Sequence, residues 1–169
     1  ELYHKWNEKV KKDIATASNF KENIEAIVKA FDEFEIDETI KKPKVGVVGE
    51  ILVKYHPTAN NDIVSVIENE GAEAVVPDML SFATYSAYNW VQKHKYLGTS
   101  LKGSLIGKGV VSLIEYCRKP LVDALNNSKR FEAPERIEKL AAYAEPIVSL
   151  CNQTGEGWFL TGEMIELIH

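Results

Sequence analysis

Apolar positions follow two different periods along the chain. Over residues 2–34 they recur every three to four positions, the period of a helix, with a break near Ser18-Asn19 that predicts two helical segments. On the second segment Ile24, Ile27, Val28 and Phe31 make one stripe. The pattern changes after Pro43. Residues 45–48 are a short β-branched run closed by Gly49 and Glu50, the pattern of a strand buried on both faces. His56-Pro57-Thr58 and Asn60-Asn61-Asp62 read as a polar loop. Ile63, Val64, Val66 and Ile67 then return to helical spacing, and Gly71 stops them. Residues 74–76 form a second apolar run ended by Pro77-Asp78. Strand, crossover helix and strand make one βαβ unit, expected to be parallel and right-handed.

Downstream the pattern is helical. Residues 79–96 predict a long helix carrying Phe82, Tyr85, Tyr88, Trp90 and Tyr96. Residues 98–109, with four glycines, read as loop or hinge, and residues 110–126 as a helix interrupted by Pro120. Pro134 suits the first turn of the next helix. There Ile137, Leu140, Ala141, Ala144, Ile147, Val148 and Cys151 form a stripe that Pro146 should kink. Gly155-Glu156-Gly157-Trp158 reads as a turn, with Thr161 capping the last helix. The expected fold is therefore α/β, a helix-rich Rossmann-like domain with a small parallel sheet that is incomplete at the C-terminus. The expected division is an N-terminal helical segment and linker over 1–42 and the α/β domain over 43–169. The chain starts and stops inside helical patterns, so both ends read as cut from a longer polypeptide. A two-stranded sheet has open edges, which makes a homodimer a possible outcome.

Composition narrows the function classes. The 169 residues are 45% hydrophobic and 27% charged, ordinary for a globular domain. A net charge of −5 argues against an extended nucleic-acid or membrane surface. No apolar run reaches a membrane-spanning length and no signal peptide is visible. Cys117 and Cys151 are no disulfide framework, so a cytoplasmic, reducing setting is expected. No basic stripe accompanies the aromatic cluster at 82–96, so core packing or a subunit interface is the favoured reading over base stacking.

Ligands of open α/β sheets sit beyond the carboxyl ends of the strands. Those ends carry Gly49, Glu50, His56, Thr58, Asn60, Asn61 and Asp78, which become the ligand-binding candidates. The Asn60–Asp62 run also suits a helix N-cap, one of whose residues is enough for capping. Glu50 serves equally as a base or as a brace for its loop. His56 reads as an ordinary loop histidine or a titrating donor. Gly155, Glu156, Gly157 and Trp158 are candidates because the glycines permit close backbone approach, although a tight turn explains them as well. Two nucleotide motifs fail. Gly103 to Gly109 has three residues between its first glycines and lacks Ser or Thr after Lys108, so it is no phosphate loop. Gly46 and Gly49 do not run into a helix as a dinucleotide fingerprint requires. The 34-residue separation of the cysteines, with no C-x-x-C, fits no local metal motif.

Gly46-x-x-Gly49-Glu50-Ile51, His56-Pro57-Thr58-Ala59-Asn60-Asn61, Glu70-Gly71-Ala72-Glu73 and Val76-Pro77-Asp78 resemble a segment of the large 2-hydroxyacyl-CoA dehydratase activase-like proteins. Gly155-Glu156-Gly157-Trp158, with Leu160-Thr161 and Glu163-Met164-Ile165, resembles a second block of the same region. The resemblance covers most of the chain after Pro43. It implies a Rossmann-like part of the dehydratase-like region that helps hold an acyl-CoA or a [4Fe–4S] cluster. It further implies a parent protein that is a lyase or its ATP-dependent activase, moving a low-potential electron for radical dehydration. The cluster cysteine would lie beyond His169, so no cofactor is expected in this chain by itself, and no catalytic residue is assigned. The implied partners are an acyl-CoA substrate or a dehydratase or activase partner domain. A non-catalytic docking module and an unrelated small-molecule-binding α/β domain are the rival readings.

Overall fold

The computed structural model describes residues 1–168. The chain divides into two compact units: Glu1–Asp37 with Glu115–Ala133, and Glu38–Ile114 with Pro134–His169.

In the first unit α1 (Leu2–Ala15) and α2 (Phe20–Asp32) meet at the predicted break. Ala17 and Asn19 turn the chain there with φ of 50° and 56°. Polar groups tie the pair together. Asn23 donates to Asp13 Oδ2 at 2.7 Å, and Lys9 Nζ bonds the same oxygen at 2.6 Å. The Lys9 ammonium, then the Asn23 amide, hold the Asp13 carboxyl below its ordinary range. At the other end of α2, Asp32 accepts from Ser128 Oγ at 2.7 Å and Lys129 N at 3.1 Å. The Arg130 guanidinium donates to the carbonyls of Phe31 and Phe34 at 2.9 and 2.6 Å.

The second unit carries the sheet. β1 (Lys44–Gly46) pairs in parallel with β2 (Glu73–Val75), and Val45 faces Ala74. Val47 N continues the ladder to Val75 O at 2.8 Å. The parallel βαβ pairing was legible in the sequence, but the burial was not. All three residues of β1 are exposed, and no third strand joins them among the described residues. The β-branched Val45, Val47 and Val48 reflect strand propensity rather than coverage on both faces. One contact is close: a Cβ on Gly46 would lie 2.8 Å from Leu167 Cδ1. The architecture is helix-rich mixed α/β with a small two-stranded parallel sheet.

Other expectations are corrected. The stretch read as loop after the first strand contains a helix, α3 (Ile51–Tyr55). Glu50 starts it by accepting from the backbone N–H groups of Leu52 and Val53, at 3.1 and 3.4 Å. The glycine-rich stretch 98–109 is also mostly helix. After α4 (Ile63–Asn69) and α5 (Leu80–Leu97), only Gly98 to Ser100 turn the chain before α6 (Leu101–Asn126). Gly107 sits inside α6 because a Cβ there would lie 2.6 Å from Ala87 O of α5. Glycine here permits close helix contact rather than a hinge. Finally, α7 (Ile137–Ala144) ends at Glu145 instead of kinking through Pro146. Pro134 precedes that helix, with Arg136 at its N-cap. Thr161 caps nothing. It lies inside α8 (Gly157–Ile168), its hydroxyl donating to Gly157 O at 3.2 Å.

The core of this unit is built on α7 and α8, with Ile137, Leu140, Trp158 and Phe159 fully buried. Tyr85 of α5 stacks on Phe159 at a centroid distance of 4.8 Å and meets Trp158 edge-on at 5.1 Å. Gly162 of α8 lets the two helices touch: a Cβ there would lie 2.6 Å from Leu140 O. Gly162→Ala should therefore destabilise the protein by about 1–3 kcal/mol. Gly109→Ala has open space around its Cβ and should stabilise α6 by about 0.5–1 kcal/mol. Urea unfolding of both variants checks the pair of opposite signs.

Candidate functional site

Four sequence blocks of the second unit converge beyond the carboxyl ends of β1 and β2. The chain leaves β1 through Gly49 and Glu50 into α3. It leaves β2 through Pro77 and Asp78 into α5. The 3₁₀ turn Thr154–Glu156 and α8 meet α3 through side-chain bonds. The link is explicit: Ile51 N donates to Glu156 Oε1 at 3.0 Å, joining residues 105 positions apart.

Beneath that bond lies an ion pair that the sequence reading missed. Lys54 Nζ donates to both carboxylate oxygens of Glu163, at 2.6 and 2.7 Å. The side chains are 2% and 0% exposed. The Lys54 ammonium also stands 5.2 Å from the Tyr55 ring centroid and 5.5 Å from that of Phe159. Tyr55 donates to Pro77 O at 2.6 Å, fastening α3 to the end of β2. A signal for this pair exists in the sequence. Lys54 is the only charge in Ile51–Tyr55, and Glu163 stands between Phe159-Leu160 and Met164-Ile165. Single opposite charges inside apolar segments call for a buried partner.

The site is acidic. Burial pushes the Glu163 carboxyl up to about 7, against the pull of its Lys54 bonds, and Glu166 and Glu156 add to the rise. Burial also raises Glu166, which accepts from Glu135 N at 3.1 Å. Tyr55 is pushed up by burial first, then by Glu163, Asp78 and Glu156. Glu156 itself is buried, with φ of 66°, after Gly155 at 61°. Its second oxygen, Oε2, is buried and has no hydrogen-bond donor among the described residues. Its placement therefore combines backbone strain with an unsatisfied acceptor.

The candidates separate into distinct roles. Glu50 caps α3. Asn60 donates to Lys54 O at 3.2 Å and accepts from Ile63 N at 3.3 Å, which occupies both ends of its amide. Asp78 accepts from Ser81 N and Ser81 Oγ at 3.0 and 2.8 Å, starting α5. Asn61 and Asp62 take left-handed backbone, with φ of 55° and 52°. His56, Thr58 and Asn61 are exposed. Gly49 has open space where a Cβ would sit. Gly157 has none, since its Cβ would meet Asn152 O at 2.6 Å. Trp158 lies in the core rather than at the surface of the site, its indole donating to Asn89 Oδ1 at 3.0 Å.

An iron–sulfur cluster does not fit the residues present. A [4Fe–4S] cluster takes four thiolates, and the chain has two cysteines, Cys117 and Cys151. No group of three or more metal-ligating side chains occurs among the described residues. Among the same residues no helix is long and apolar enough to cross a membrane. Comparison of the chain with protein families, with curated proteins and with solved structures gave no match.

The buried pair generates two predictions. Lys54→Met leaves the Glu163 carboxylate unpaired and should cost about 3–5 kcal/mol, whereas Lys54→Met with Glu163→Leu should recover most of that loss. The pH dependence has a definite sign. Because the folded-state value of Glu163 is raised from 4.5 to about 7, its stabilising proton is held below the lower value and lost as pH rises through the upper one. Denaturant unfolding of the native protein and Glu163→Gln across this range should show the native protein gaining on the variant as pH falls.

Proposed function

We propose that the second unit is a Rossmann-like substrate-binding part of a protein similar to the 2-hydroxyacyl-CoA dehydratases and their activases, and that it receives the acyl end of a CoA thioester. The observation that carries this reading is Glu156. Its carboxylate is buried beyond the strand ends, with one oxygen on Ile51 N and the other without a donor. A buried carboxylate oxygen in that state favours a ligand that brings an N–H or O–H group. A 2-hydroxyacyl-CoA brings both: the hydroxyl on the acyl chain and the amides of its pantetheine arm.

The charge pattern agrees with the orientation. Glu156 and Glu166 crowd Glu163, which already engages Lys54, and Asp78 and Glu156 act on the neighbouring Tyr55. Phosphates are repelled from such a place, so the nucleotide end of the thioester lies outside it and the donor-rich end inside. The motif residues His56, Thr58 and Asn61 are exposed at the rim and are assigned to contacts with the arm. The dehydration chemistry of the family depends on a cluster that this chain does not hold, so no reaction step is assigned to it. Its role in such a protein is to bind and orient. A docking module without small-molecule binding is the alternative that survives if no thioester binds.

The test is calorimetric titration of the protein with a 2-hydroxyacyl-CoA and with the matching acyl-CoA that lacks the hydroxyl. The native protein should prefer the hydroxylated thioester. Glu156→Gln keeps an acceptor for Ile51 N but replaces the free oxygen by an amide donor. It should weaken binding about tenfold and erase the preference, since an unmatched buried group costs about 1–3 kcal/mol. Equal binding of the two thioesters by the native protein, or unchanged affinity in a folded Glu156→Gln, would overturn the assignment.

A further inference from the structure

We propose that α3 is a strap that lifts to admit the acyl end of the thioester and recloses over it. What enters rests on the CoA reading of Glu156, whereas the motion rests on the build of α3 itself.

Access requires movement. Glu156 is 7% exposed, and the oxygen without a donor is buried. Its other oxygen accepts from the backbone N–H of Ile51, the first residue of α3. The strap is thus bonded directly to this carboxylate. The neighbouring Lys54 and Glu163 side chains are closed to solvent as well. A ligand donor meets Glu156 Oε2 only after a covering element moves aside.

The way α3 is attached makes it that element. Of its five residues only Lys54 is buried. Leu52 and Val53 are 61% and 46% exposed, and Ile51 and Tyr55 are half-buried. Lifting α3 therefore uncovers little apolar surface. Polar groups do the fastening: Ile51 N to Glu156, Lys54 to Glu163, and Tyr55 to Pro77 O. Lys54 adds its contact with the Phe159 ring at 5.5 Å. The bond from Asn60 to Lys54 O stays within the segment that joins α3 to α4. Deleting one member of the buried pair strands a charge, but lifting α3 returns both members to water together. The pair resists substitution more than it resists opening. The chain on either side allows the swing. The last ladder bond is made by Val47 N, Gly49 has open space where a Cβ would sit, and His56 is extended before Pro57. Segments with few buried apolar contacts open locally, at less cost than unfolding the whole. α8, with Trp158, Phe159 and Glu163 fully buried, lacks that freedom.

The test follows amide hydrogen exchange in the whole chain by NMR, then thioester binding by stopped flow. A detached five-residue helix does not persist. The amides of Ile51, Lys54 and His56 should therefore exchange about a hundredfold faster than those of α8. Their rates should barely respond to dilute urea, because the opening exposes little surface. A 2-hydroxyacyl-CoA should slow them. Tyr55→Phe removes one fastening and leaves Glu156 in place, and it should make opening about fivefold more frequent. The lost bond is missing from the free and the bound closed states alike. Association and dissociation of the thioester should therefore each speed up about fivefold, with the affinity unchanged. The proposal is overturned if the α3 amides exchange as slowly as those of α8 and with the same urea response. It is equally overturned if the thioester binds at rates that Tyr55→Phe does not alter. If no thioester binds, the CoA reading fails and the strap loses its role as a gate, while fast, urea-insensitive exchange of α3 still establishes the motion.

Discussion

The second unit depends on one buried charge pair. Lys54 is on a five-residue helix, too short to persist by its own hydrogen bonds. Glu163 is on a long helix buried against the core. Their contact, with the Ile51–Glu156 bond above it and the Tyr55–Pro77 bond beside it, holds α3 in place. Burial makes the arrangement demanding. Neither charge has water to fall back on, so each needs the other, and the desolvation cost shows in the raised Glu163 carboxyl. Such a pair adds little net stability compared with apolar side chains of the same size. It does restrict the register in which α3 and α8 fit together.

That restriction matters for Glu156, two residues before Trp158. Gly155 and Glu156 both take left-handed backbone, and Gly157 is pressed against Asn152. A side chain at Gly157 would push this corner apart, and the carboxylate would lose Ile51 N. The strain at Glu156 is sustained because Trp158 and Phe159 immediately after it are anchored among Tyr85, Tyr88 and Leu140. Core packing thus supports the conformation of the most unusual acid in the site.

Glycine serves a second purpose in the α5–α6 hairpin. Gly107 brings the helices close on one side, and the opposite side of α6 is left with leucines in solvent. The two faces follow from one helix carrying apolar residues nearly all round. One face satisfies the unit's own core, and the other stands in solvent.

Much of the fold was legible along the chain. The break at Ser18-Asn19, the parallel pairing of the two strands, the stop at Gly71 and the long aromatic helix follow from periodicity and turn chemistry, which act over a few residues. The sequence also brought Glu50, Asp78 and the Gly155–Trp158 block forward as candidates, without the contact that joins Glu156 to Ile51. What it misread shares one cause. Glycines at 103, 107 and 109 resemble a hinge until a neighbouring backbone 2.6 Å from one of them explains the absence of a side chain. Trp158 stands among the ligand-binding candidates until the rings around it are known. Lys54 and Glu163 are separated by 109 positions, and no local pattern pairs them. Periodicity and turn residues determined the elements because those preferences are local. Burial, helix contact and charge pairing were decided only by the tertiary structure, because each depends on which distant atoms the fold brings within a few ångströms.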